Sequence, residues 1–112
     1  MALAECCFDS GLGVSTEIPG GEAAGATFAD IAALFGESAS RVLVSATASS
    51  AADLLAHASA GGVPAMQIGT VGGDRIRVSI GGRQVLDESL AESEHIWSSS
   101  LEHFFERVRA IA

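Results

Sequence analysis

The apolar positions of the chain follow two rhythms, one helical and one alternating, and their order sketches a fold. Leu3, Cys7 and Phe8 share one side of a helix over residues 2–8, closed by Gly11 and Gly13. Val14-Ser15-Thr16-Glu17-Ile18 then alternates as a half-buried strand does. Residues 19–25 are rich in Gly and Ala without any period and read as a surface loop. Phe28, Ile31, Ala32, Leu34 and Phe35 recur at helical spacing up to Gly36, a glycine placed where a helix stop takes positive φ. The run Arg41-Val42-Leu43-Val44-Ser45 is short, apolar and β-branched, which suits a buried strand. Ser49 or Ser50 then caps a helix over 51–58, ended by Gly61 and Gly62. Residues 63–71 and 75–80 read as strands about a hairpin turn at Gly72-Gly73-Asp74, with Arg75 and Arg77 on the face opposite Ile76, Val78 and Ile80. Gly81-Gly82 signals another hairpin into residues 83–87. Ser89 caps a long helix reaching residue 111, whose expected buried stripe is Ile96, Leu101, Phe104, Phe105 and Val108.

Helices and strands mixed in this order predict an α+β fold, a mainly antiparallel sheet with helices packed on it. At 112 residues the chain is one domain by length, and 48% hydrophobic against 18% charged residues makes it globular. The net charge of −8 opposes a grip on nucleic acid, which needs clustered Lys and Arg. There is no lysine, so any anion must be held by one of six arginines or by backbone N–H groups. No apolar run approaches the ~20 residues of a membrane span, and the N-terminus lacks the basic stretch of a signal peptide, so a cytoplasmic location is expected. Cys6 and Cys7 are adjacent and cannot share a metal or a staple; both are expected to act as small buried hydrophobes in a reducing compartment.

The candidate chemistry centres on the junction between the second helix and the run at 41–45. Gly36, Glu37, Ser38 and Ser40 form a polar turn whose hydroxyls and N–H groups can face an anion, while the plainer reading is a helix stop with its serines bonded locally. Glu37 would repel a phosphate, and Arg41 reads as a surface charge. His57, His95 and His103 are scattered over helices and predict solvated faces rather than a metal site. Gly72-Gly73-Asp74 lacks the spacing of a phosphate-binding fingerprint. No catalytic residue is assigned.

Three strings carry a family resemblance: Ala2-Leu3-Ala4-Glu5-Cys6-Cys7-Phe8 with Gly11-Leu12-Gly13, Leu34-Phe35-Gly36-Glu37-Ser38-Ala39-Ser40-Arg41-Val42-Leu43-Val44, and Ile68-Gly69-Thr70-Val71-Gly72-Gly73-Asp74. Together they resemble the C-terminal domain of the aminoimidazole ribonucleotide synthetase superfamily, and within it the synthetase subunit of phosphoribosylformylglycinamidine synthase. The stretch from Leu90 to Phe104, with Trp97 inside it, is similar to that subunit's closing helix. The resemblance implies a layered, partly ferredoxin-like α+β domain. It implies a parent enzyme that turns formylglycinamide ribonucleotide into its amidine with ATP, Mg and ammonia from a glutaminase partner. ATP would sit in an N-terminal half, and Gly36, Glu37, Ser38 and Ser40 would lie near the substrate's phosphate. The segment that precedes the first helix in the family is absent here, so residues 1–112 are expected to be a single C-terminal domain of a longer chain, inactive alone. The first helix and Trp97 are then expected to leave an apolar patch through which the fragment forms a homodimer. Two other readings are a stand-alone α+β module that dimerises without chemistry, and a domain of another ATP-dependent member of the superfamily.

Overall fold

The computed structural model describes residues 2–20, 27–37 and 39–111. In chain order they form α1 (Ala2–Ser10), β1 (Val14–Ile18), α2 (Thr27–Phe35), α3 (Ala48–Ala60), β2 (Gly69–Val71), β3 (Arg75–Ile80), β4 (Arg83–Ser89) and α4 (Leu90–Ile111). The strands make one sheet in the order β2-β1-β3-β4, with β1 parallel to β3 and the other two pairs antiparallel. The architecture is the expected α+β with a mixed, mainly antiparallel sheet. Gly81 and Gly82, at φ 57° and 78°, supply the two left-handed residues that a tight β3–β4 hairpin needs. Opposite Val78 and Ser79 the register of β4 skips Val85, a β-bulge.

Alternation decides which face is covered. Val14, Ile76, Val78 and Ile80 are buried on one face, where Cys7 and Phe8 of α1 and Leu90 of α4 close over most of them. Thr16 is buried among them and donates its hydroxyl to the Arg77 carbonyl at 3.3 Å, so it is not left unsatisfied. Seven hydrophobic residues are buried among the described ones, each contributing on the order of 1.5–3 kcal/mol. That is a small core for 112 residues, and the radius of gyration of 17.1 Å exceeds the roughly 13 Å of a compact domain this long.

Several expectations change. Residues 41–47 form no strand; Val42, Leu43 and Val44 are 82%, 47% and 62% exposed. A β-branched run favours extended backbone, but a strand also needs a ladder partner, and these residues have none among the described ones. Of residues 63–71 only Gly69–Val71 pair, with Val14–Thr16 of β1, and the Ile68 carbonyl accepts the Glu17 N–H at 2.7 Å just beyond them. Gly72-Gly73-Asp74 is not a hairpin turn: β1 lies between β2 and β3, and Gly72 and Gly13 clasp its start through Gly72 N–H to Gly13 O and Gly13 N–H to Gly73 O, both 2.8 Å. The expected stripe of α4 is exposed from Ile96 to Val108. Trp97 is 53% exposed, with its ring 5.4 Å from Phe8, whose side chain is in the core. Cys7 is buried, with burial pushing its thiol pKa up, whereas Cys6 is exposed. Thr47, not Ser49 or Ser50, stands at the start of α3. Most of the expected loop at 19–25 lies outside the described residues.

Candidate functional site

The junction after α2 is built by a backbone stop. Gly36 donates its N–H to the Ala32 carbonyl at 2.9 Å, the last turn of the helix. Its φ is not positive, contrary to expectation; glycine is needed for space, since a Cβ there would run into the Ala32 carbonyl. The left-handed residue of this loop is Ser40 instead, at φ 67°, the single non-glycine with positive φ among the described residues. For a serine this backbone costs on the order of 1 kcal/mol, and such strain collects where a backbone must present groups in a set direction. Gly36, Glu37 and Ser40 are all exposed, as is the neighbouring Arg41, and Ser38 lies outside the described residues.

The electrostatics of the junction are divided. It follows the C-terminal end of α2, where the helix dipole is negative, and Glu37 adds a charge of the same sign. An anion here must rely on N–H groups of the turn at Ala39 and Ser40, on hydroxyls, and on Arg41.

Elsewhere Arg75, Arg77 and Arg83 are answered by acidic side chains. On the open face of the sheet Arg75 reaches Asp87 at 2.5 Å through Nε and the Asp87 carbonyl at 3.0 Å, with Arg77 at 3.4 Å from the same carboxylate. The Arg75 hydrogen bond holds the Asp87 carboxyl below the usual carboxylate range and raises the guanidinium in turn. Glu17 accepts the Gly82 N–H at 2.7 Å, and Arg83 pairs with Asp30 of α2 at 2.6 Å. A shallow polar depression beside β2 is lined by Ser15, Glu17, Gln67, Thr70 and Ser79 and has no basic residue in its wall, so it suits an anion poorly. The alternation of β1 already put Ser15 and Glu17 on that face. At the start of α3 the Thr47 hydroxyl lies 3.0 Å from both Ser49 and Ser50 hydroxyls, a cluster that cap reasoning met only one serine at a time. His57, His95 and His103 are exposed, and no group of three His, Cys, Asp or Glu among the described residues could hold a metal ion.

Residues 1–81 match the family described as AIR synthase related protein, C-terminal domain. The chain belongs to this family. All of Gly36, Glu37, Ser38 and Ser40 fall inside the match, whereas β4 and α4 lie beyond it. This AIR synthase related C-terminal domain is similar to phosphoribosylformylglycinamidine synthase subunit PurL of Thermomicrobium roseum, 42% identical over 69 residues, covering 62% of this chain and 9% of that protein. The PurL subunit of Alkaliphilus metalliredigens is 28% identical over 109 residues, covering 97% of the chain and 14% of that protein. The chain thus spans a small fraction of the length of the curated relatives it matches. No solved structure matches it. No helix among the described residues is long and apolar enough to cross a membrane.

Proposed function

We propose that residues 1–112 are one C-terminal domain of a longer synthetase subunit of phosphoribosylformylglycinamidine synthase, and that the loop at 36–40 holds the phosphate of its ribonucleotide substrate. In this reading the parent converts formylglycinamide ribonucleotide to formylglycinamidine ribonucleotide in de novo purine biosynthesis in the cytoplasm. ATP and Mg belong to its N-terminal half, and a glutaminase partner supplies ammonia. Support for the parent comes from the family match and from the PurL relatives. The described residues do not fit ATP and Mg themselves: the chain has no lysine for a phosphate-cradling loop and no carboxylate cluster among the described residues. No step through either is assigned to this chain. What it contributes is binding and orientation.

The observation that carries the loop's role is Ser40. A left-handed residue in a turn swings successive N–H groups toward one point, and its hydroxyl adds a donor without a charge. Arg41 next to it supplies the compensating positive charge against Glu37. Because the phosphate is remote from the formamide that reacts, losing one donor weakens ground-state binding more than chemistry. In the full-length enzyme, Ser40→Ala and Ser38→Ala are expected to raise KM for the ribonucleotide by the equivalent of about 1–2 kcal/mol, with kcat changing less. Ser99→Ala, on the polar side of α4, is the control. Variants indistinguishable from that control would leave the loop a plain helix stop.

A further inference from the structure

Beyond Trp97, α4 carries an apolar face that the described chain leaves largely exposed. Leu90 is buried and Trp97 meets Phe8, but Leu101, Phe104, Phe105, Val108 and Ile111 are between 47% and 85% exposed. At about 100° per residue, Leu101, Phe104, Val108 and Ile111 form one stripe with Phe105 along its border. Glu102 and Arg109, two turns apart, form the row next to Phe105, and Arg107 flanks the other side. Among the described residues none of the three is in an ion pair.

We propose that this half of α4 is the interface of an antiparallel homodimer, in which Glu102 of each copy pairs with Arg109 of the other. The register follows from the positions. A two-fold axis near residue 106 sets Leu101 against Ile111 and Phe104 against Val108, with Phe105 meeting its own copy. In an antiparallel pair each flank faces the same flank of the partner, so Glu102 arrives level with the second copy's Arg109, twice over. A parallel pair would instead bring Arg109 beside the second copy's Arg107, two like charges at one level. Charge complementarity therefore selects both the partner, a second copy, and its direction. Ten large side chains, five from each copy at roughly 100 Å² each, reach the order of 1,000 Å² that a specific pair needs. The dimer stands apart from the phosphate reading, since α4 lies outside the loop and outside the family match.

The test is sedimentation velocity of the 112-residue chain over a wide concentration series, for the wild type, Glu102→Arg, Arg109→Glu and the double reversal, with circular dichroism melts confirming that each variant folds. The wild type is expected to dimerise, either single reversal to raise the dimer dissociation constant about tenfold, and the double reversal to restore it. A wild type monomeric across the series overturns the proposal and assigns the face to another part of a longer polypeptide. A dimer indifferent to the single reversals, or a double variant no better than the singles, overturns it as well.

Discussion

One carboxylate on the sheet's open face engages both of its arginines, Asp87 meeting Arg75 at 2.5 Å and Arg77 at 3.4 Å, so an anion at this face would compete with a carboxylate already in place. The pair also links stability to pH. The hydrogen bond from Arg75 holds the folded carboxyl below its ordinary value, so its contribution is complete above the ordinary carboxylate range and is lost as pH falls through the depressed folded value. Asp87→Asn should therefore melt lower than wild type at neutral pH, and the gap should close in acid below the carboxylate range. Melts across a pH series check this. A gap that stays constant into strong acid would mean the carboxylate contributes through shape and not through charge.

At the scale of elements, the two caps of the longer helices differ in a way that denaturation can read. Ser89 accepts the Glu92 N–H on its hydroxyl at 3.4 Å, whereas Thr47 makes no side-chain cap bond and turns its hydroxyl to Ser49 and Ser50. Ser89→Ala should cost about 0.5–1 kcal/mol and Thr47→Ala no more than a few tenths, measured by urea unfolding with unchanged m-values. Equal losses would contradict the assignment. The elements that the sequence made legible are those whose pattern and partners coincide. β1 and β3 alternate and also bury the face that alternation selects, and the paired glycines at 81 and 82 mark the hairpin from β3 into β4. The run at 41–45 had the composition of a strand without a neighbour to complete it, and composition does not encode the neighbour. The stripe of α4 was correctly periodic, but a period names a face and not what covers it. At the candidate site the helix stop at Gly36 was readable, yet its cause is a carbonyl from Ala32 and not its φ; the left-handed residue proved to be a serine, which no turn preference singles out.

Among the described residues a small core stands beside exposed apolar side chains on α2 (Phe28, Ile31 and Phe35), at residues 42–44 and along the second half of α4, with the candidate loop between the first two. That distribution fits a domain whose faces are completed by contact, with a second copy at the proposed α4 interface and with the rest of a longer chain around the loop at 36–40. Whether the loop at 36–40 reads a phosphate is decided by calorimetric binding to the full-length protein. Formylglycinamide ribonucleotide is compared with its dephosphorylated nucleoside on wild type and on Ser40→Ala. The expected result is that Ser40→Ala weakens the ribonucleotide by roughly fivefold to thirtyfold and leaves the nucleoside unchanged. Equal weakening of both ligands, or of neither, would contradict it.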